Sequence, residues 1–433
     1  MTKMKRLGQG ARAGGRFAAA LMGAAMMASA AFVSAASAAE LTVWCWDPNF
    51  NIPAMKDATE RYTKTHPDTT FAIANITQDE INQKLQTQFL AGVTDGLPDI
   101  VLIQDDNIQR FLQSFPGSFV PLSDSIDMSK FAQYKVAAAT HDGKSYSLPF
   151  DSGVAGLFYR TDYLEQAGYK PEDMQNISWA KLIEIGKDVL AKTGKPLVSM
   201  DYNGDDLIVL MMQSTGQWYL KDGKEPNIIG NQALKAALQT FQTMAKEGII
   251  KSVSGWTDYT GSFTSGQVAA VPQGVWITGT IKSVPEQSGK WRVAPMPILE
   301  GVDGATHFTN NGGSSWYVLA SSQHQDEAVD FLKTIWGADV DFYQGILINQ
   351  GAVGSLLAAR EGAAYKESDP FFNGEPVWQN FSDWLAKVPT VDYGTFTPEA
   401  RMAVRAQIPN IANGGDIDEA LKAIDAQLRQ QMQ

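Results

Sequence analysis

The stretch Asp99-Ile-Val-Leu-Ile103 constrains the architecture of this chain more than any other. Residues 100–103 are apolar without a break, and Pro98 and the polar run Gln104-Asp-Asp106 bound them. A strand of that kind lacks the in–out alternation of a sheet with one wet face, so both of its faces are covered. The preceding sequence supplies the covering elements. Residues 41–46 read as a buried strand that ends in the polar loop 47–51. A helix is expected to start there, with Asn51 as its cap, Pro53 in its first turn, and Met55, Ala58 and Tyr62 at helical spacing. Residues 70–75 alternate as a strand does, and 78–91 place Ile81, Leu85 and Phe89 on one helical face. Strand–helix–strand–helix–strand predicts an α/β, doubly wound sheet.

At 433 residues the chain is too long for one compact core. A second α/β region is expected after the Asp142-Gly143 turn, beginning with a strand at 145–150. Its helices are predicted at 179–193, capped by Ser178, and at 232–247, capped by Asn231. Strands are predicted at 268–271, 291–294 and 316–320, a helix at 326–336, and a last helix at 417–432 capped by Asp416. A single cysteine, Cys45, rules out an intramolecular disulfide. Flanked by Trp44 and Trp46, it reads as a small buried hydrophobe.

The N-terminus reads as an address. Lys3, Lys5, Arg6, Arg12 and Arg16 precede an Ala- and Met-rich apolar run over 17–33, and Ala36-Ser37-Ala38 has the A-x-A form of a cleavage site. Residues 1–39 are therefore expected to be a secretory signal peptide. Cys45 lies several strand-like residues past the small residues, too far for lipid attachment. Taking five of the 35 Lys and Arg away leaves 30 against 47 Asp and Glu, a net charge of −17. Such a chain repels phosphate backbones and anionic membrane surfaces, which argues against nucleic-acid binding and membrane docking. Secretion without disulfides or a lipid anchor points to the periplasm.

Motifs for catalysis and metal binding are lacking. His66, His141, His307 and His324 form no H-E-x-x-H or Cys/His arrangement. Asp47-x-Asn49-x-Asn51 and Asp201-x-Asn203-x-Asp205 begin like calcium loops. The first has Ile52 and Ala58, the second Asp206 and Met212, where such a loop needs Gly and Glu. No G-x-S-x-G, P-loop or G-x-G-x-x-G occurs.

Several segments together resemble family 1 of the extracellular solute-binding proteins, the maltose-binding-protein-like sugar-binding subunits of ABC importers. They are Leu97-Pro-Asp-Ile-Val-Leu-Ile-Gln-Asp-Asp106, Gly143-Lys-Ser-Tyr-Ser-Leu-Pro-Phe150, Leu157-Phe-Tyr-Arg-Thr-Asp162, Tyr163-Leu-Glu-Gln-Ala-Gly168 with Ser178-Trp179, Phe263-Thr-Ser-Gly-Gln-Val-Ala-Ala270 with Gly274-Val-Trp276, and Asn311-Gly-Gly-Ser-Ser-Trp316. Arg160 departs from the Asn usual after the crossover Tyr. The opening Trp44-Cys-Trp-Asp-Pro-Asn-Phe-Asn51 is similar to lactose-binding members. The resemblance implies the two-lobe periplasmic binding protein fold (type II), with a doubly wound sheet in each lobe and a hinge between. Lobe 1 is expected at 40–150 plus 305–345, lobe 2 at 151–304 plus 346–433. It further implies a monomer without cofactor or metal, which closes over a sugar, a di- or oligosaccharide, and delivers it to ABC permease subunits.

A sugar presents hydroxyls on its rim and C–H patches on its faces, so planar polar groups and aromatic rings suit it. Ligands of doubly wound sheets sit outside the carboxyl ends of strands. That rule selects Trp46, Asp47 and Asn49 after the first strand, Gln104, Asp105 and Asp106 after the third, and Asp151 at the hinge. In the second region it selects Asn203, Asp205, Asp206, Trp218, Trp256, Trp276, Asn310 and Asn311. Trp276 matches the family's stacking Trp. The alternatives are caps or solvated turns for the Asp residues and core positions for the Trp residues; Trp44, Trp179, Trp291, Trp316 and Trp336 are expected in the core. Two rival readings stand beside the sugar: a cationic solute such as a polyamine, which also suits aromatic faces and carboxylates, and a secreted carbohydrate-active enzyme.

Overall fold

The computed structural model describes residues 39–433 except Asn49; residues 1–38 of the expected signal segment lie outside the described residues. In chain order the strands that build the fold are β1 Ala39–Cys45, β2 Thr69–Asn75, β3 Ile100–Gln104, β4 Leu148–Pro149, β5 Val154–Arg160, β6 Val198–Asp201, β7 Ile250–Val253, β8 Ala270–Gly274, β9 Trp291–Ala294, β10 Thr309–Asn310 and β11 Ser314–Val318.

The first sheet has the order β2-β1-β3-β11-β4. β1 runs parallel to β2 and β3, with Val43 opposite Ile100, and β11 enters antiparallel, with Trp316 opposite Leu102. Both faces of β3 are buried, as its apolar run requires. Ile100 and Leu102 join Leu41, Val43 and Trp316 on one side. Val101 and Ile103 join Ile81, Leu85, Phe111 and Tyr317 on the other. The Gln78–Ala91 helix has the predicted bounds. The Thr77 hydroxyl accepts from the Glu80 N–H at 3.3 Å, and Gly92 ends the helix at φ +64°. Cys45 is fully buried among apolar side chains, and that burial pushes its thiol up to about 12.

One local expectation is corrected. The Asn51–Thr63 helix is not capped by Asn51, which is its first residue, 2% exposed, with a side-chain oxygen that accepts no hydrogen bond. Instead Asp47, at φ +62°, turns its carbonyl back to accept from the N–H groups of Phe50 (3.4 Å) and Ile52 (3.2 Å).

In the second sheet β5 is the central strand. β8 and β9 flank it antiparallel, and β10 pairs with its first residues, Asn310 opposite Val154. β6 and β7 run parallel, and the N–H groups of Ala269 and Ala270 donate to the Leu197 carbonyl, which joins that pair to the β8 edge. Successive residues of β5 face opposite cores: Phe158 lies with Val271, Val293 and Phe381, whereas Leu157 and Tyr159 lie with Leu182, Leu238 and Val404. The helices Trp179–Thr193 and Gln232–Lys246 cover the second face, capped by Ser178 and Asn231 as expected. Trp179, Trp291, Trp316 and Trp336 are core residues, and Trp44 is partly buried against the first sheet. Arg160 is buried and forms a two-pronged ion pair with Asp162 at 2.8 and 2.6 Å, so its departure from the usual Asn is taken up structurally.

Three stretches of backbone lace the two sheets together. Phe150 and Ser152 exchange bonds with Ser355 and Val353 at 2.8 and 2.9 Å, and Asn311 donates to Gly153 at 2.8 Å. Asp151 accepts from both the N–H (2.8 Å) and the hydroxyl (2.6 Å) of Ser314. At Gly313, φ is +91°, and a Cβ would stand 3.0 Å from Asp105 Oδ2 and 3.1 Å from Gly153 N, so both turn and crowding require glycine.

Candidate functional site

At the carboxyl end of β6 lies a recess of about 250 Å³ whose lining includes Asp201, Asn203, Asp206, Trp256, Tyr259 and Arg405. The Asp201 carboxylate organises its mouth. One oxygen accepts from the N–H (2.9 Å) and carboxamide (3.1 Å) of Asn203, and the other from Gly255 N–H at 2.7 Å. Gly255, at φ +72°, starts the Gly255–Thr264 helix and sets the indole of Trp256 at the rim, where it is 55% exposed. The Trp256 ring centre is 5.8 Å from that of Trp276 and 5.6 Å from that of Tyr259. Three aromatic rings thus form one corner.

Trp276 follows β8 and is half-buried. Its indole N–H donates to the Asn311 carbonyl at 2.9 Å. It folds back over Gly274, where a Cβ would stand 2.3 Å from the indole nitrogen. This is the physical content of the G-x-W spacing: glycine leaves the space in which the ring lies. Behind it, Gln273 accepts from Asn311 Nδ2 at 2.6 Å and from Gly274 N–H at 2.9 Å, and its amide reaches the Tyr259 hydroxyl at 3.4 Å.

The acidic loop beside the recess is charge-compensated. Asp205 is fully buried and accepts from Arg401 at 3.0 and 2.9 Å and from Arg405 at 2.9 Å. Burial alone would push its carboxyl up, but Arg401 and then Arg405 outweigh it and hold it below the usual range. Asp206 is different. Desolvation in the recess wall, then the adjacent Asp205, push its carboxyl up against the two arginines. Half of its side-chain surface stays open. Arg401 also donates to Asp106 at 2.7 Å, across from the first sheet.

The structure therefore brings together Asn203, Asp206, Trp256, Trp276 and Asn311, with Asp106 reached through Arg401. Other candidates face internal partners. Trp218 is 3% exposed, donates to the Thr397 hydroxyl at 2.7 Å and packs against Tyr393 in the second core. Asp105 is buried in an ion pair with Lys135, itself fully buried, and accepts from Ser315 at 3.0 Å; burial, opposed by Lys135, pushes its carboxyl up to about 6. Asp151 is the Ser314 acceptor described above. Asn310 donates to the Gly312 carbonyl at 2.7 Å and accepts from Tyr134 at 3.2 Å. Trp46 is partly buried against both faces of the first sheet, Gln104 is the last residue of β3, and Asp47 is exposed at the turn before the first helix. Asn49 lies outside the described residues.

Sequence reasoning missed Tyr259, Gln273, Arg401 and Arg405. Tyr259 carried a signal, since it lies three residues after Trp256 on one helix. Arg401 and Arg405 are a turn apart on the Thr397–Ala412 helix, but nothing local ties them to a loop two hundred residues away.

Residues 57–369 match the model of the bacterial extracellular solute-binding protein family, and the chain belongs to that family. It is 56% identical over 400 residues to the lactose-binding protein of Rhizobium radiobacter, covering 92% of this chain and 94% of that one. A crystal structure of an extracellular solute-binding protein family 1 member shares the fold with a TM-score of 0.77 at 21% identity, covering 91% of this chain and all of the other. The galacto-N-biose-/lacto-N-biose I-binding protein of the ABC transporter from Bifidobacterium longum, solved with lacto-N-biose, gives 0.75 at 19% identity, covering 91% and 97%. The fold is thus the two-lobed α/β fold of solute-binding proteins. The family consists of binding proteins that work outside the cytoplasm.

Proposed function

We propose that this chain is the periplasmic sugar-capturing subunit of an ABC importer, that its ligand is a lactose-like disaccharide, and that the monomer hands the sugar to the membrane permease. The observation that carries this reading is the 56% identity to a lactose-binding protein across nearly the full length of both chains. The corner of Trp256, Tyr259 and Trp276 supports it by offering ring faces to the C–H patches of a sugar. Asn203, Asp206 and Arg405 line the same recess with groups suited to hydroxyls. Trp46 and Gln104 are the facing residues from the first lobe in this reading, Asp106 being engaged by Arg401.

In this reading the first lobe is 40–150 plus about 313–350 rather than 305–345, because Thr309–Asn310 pair with β5 and the Val340–Gln350 helix continues past 345, and the second lobe is the rest; the laced segments near 151, 312 and 354 form the hinge. Ligand bridging both lobes binds the closed state better than the open one, and that difference drives closure. A polyamine is disfavoured because Asp205 and Asp106 are already neutralised by Arg401 and Arg405. Titration calorimetry of the mature chain against lactose, maltose and putrescine tests the reading. Stoichiometric lactose binding without hydrolysis supports it. Putrescine binding alone, or release of monosaccharide, sinks it.

A further inference from the structure

Three contacts line up between the segment after β3 and the start of the Thr397–Ala412 helix. Asp106 meets Arg401 at 2.7 Å, Arg110 meets Glu399, and Gln113 meets Thr395 at 2.9 Å. The spacing 106, 110, 113 is that of one helical face, and Arg110 and Gln113 lie on the Ile108–Ser114 helix. The four charged side chains are 15–22% exposed. The two sides of this strip belong to separately packed bodies. Ile108, Phe111 and Leu112 lie in the apolar cluster of the first sheet with Val101 and Ile103. Ala400, Ala403, Val404 and Ile408 lie in the cluster under β5 with Leu157 and Tyr159. Arg401 is moored on its own side by buried Asp205, and it stands 3.9 Å from Asp206 in the recess.

We propose that this strip is a latch that biases the ligand-free chain toward its closed form and so sets sugar affinity without touching the sugar. Arg401 and Glu399 are positioning residues: they hold the first-sheet loop against the recess and fix how much of the ligand's binding free energy is needed for closure. The inference rests on the proposed closure around a sugar. Its mechanical content, compaction by ion pairs, is read separately from sugar binding.

The test uses the mature chain, its Glu399→Gln variant and the charge-exchanged Arg110→Glu/Glu399→Arg double variant. Folding is checked by circular dichroism, compaction by small-angle scattering without sugar, and lactose affinity by calorimetry. Glu399→Gln is expected to raise the lactose Kd about fivefold, the factor of one partly buried ion pair, and to enlarge the sugar-free radius of gyration. The exchanged pair is expected to restore both. Unchanged affinity and radius in Glu399→Gln overturn the latch, as does a folded exchanged variant that stays as weak and expanded as the single one. If the parent chain binds no lactose, the functional reading fails, while the sugar-free scattering of the variants still decides for or against the latch.

Discussion

Replacing Trp276 by alanine removes the ring whose orientation in the aromatic corner is set by a hydrogen bond to the Asn311 carbonyl. A sugar ring lying on one indole face takes about 100 Å² of apolar surface from water, counting both partners, and at about 25 cal/mol/Å² that contributes about 2.5 kcal/mol. The corresponding loss of lactose affinity is about 70-fold. Folding loses less, because the residue is half-buried and makes one hydrogen bond, to the Asn311 carbonyl; about 1–2 kcal/mol is expected from that bond and from contact with Trp256. A companion variant separates the presence of the ring from its orientation. In Gly274→Ala the new methyl would sit 2.3 Å from the indole nitrogen and 2.9 Å from the Asn311 carbonyl oxygen, so the ring must swing away. Calorimetry with lactose on both variants, alongside thermal melts, is the assay. Gly274→Ala is expected to bind nearly as weakly as Trp276→Ala although it keeps the indole. A Gly274→Ala variant that binds lactose as the parent does refutes the claim that the pinned orientation matters, and an unchanged Trp276→Ala removes this ring from the site.

Other expectations follow from the same contacts. Trp218→Phe should lower the melting temperature through loss of the bond to Thr397, about 1 kcal/mol, yet leave lactose Kd within about twofold, and calorimetry showing a large affinity loss would contradict its placement in the core. Lys135→Met leaves the Asp105 carboxylate buried with the Ser315 hydroxyl in place of a cation, so denaturant melts should show a loss of about 3–5 kcal/mol, much of it recovered by adding Asp105→Asn. Because the Asp206 carboxyl is pushed up, its ionised, hydroxyl-accepting form is lost at a higher pH than for an ordinary aspartate. Lactose Kd should therefore rise as pH falls, and Asp206→Asn should flatten that dependence. Cys45 should stay unreactive to an aromatic disulfide reagent in the folded chain and react once denatured, since burial both shields the thiol and keeps it protonated.

The parts of this fold that were legible in the sequence are those decided within one or two turns of chain. The Gln78–Ala91 and Trp179–Thr193 helices have their predicted ends because apolar spacing, the Ser178 cap and the left-handed glycines Gly92 and Gly194 are local signals. Asp416 likewise accepts from Glu419 N–H at 2.9 Å, as its position before an apolar period predicts. Asn51 misled because the helix starts one residue earlier than a cap at 51 requires: the Ala54 N–H that such a cap would hold donates to the Phe50 carbonyl at 3.3 Å, and the Asp47 carbonyl takes the Phe50 and Ile52 N–H groups at a positive φ that is invisible in composition. The recess was half legible. The strand-end rule selected Asn203, Asp206 and Trp256, which line the recess, and Trp276 beside it, and it also selected Asp105 and Trp218, which are buried on internal partners, because a residue at a strand end is placed near a cleft before it is known which way its side chain turns. Charge was the least legible quantity. An acidic mature chain and acidic loops suggested an acidic cleft and kept a cationic ligand in contention. The fold lays Arg401 and Arg405 across Asp106 and Asp205, at sequence separations that no window spans. A cleft's electrostatics is a property of which helix is packed beside which loop, so net charge bounded the partners of the whole surface while saying little about the few hundred cubic ångströms where a ligand would lie.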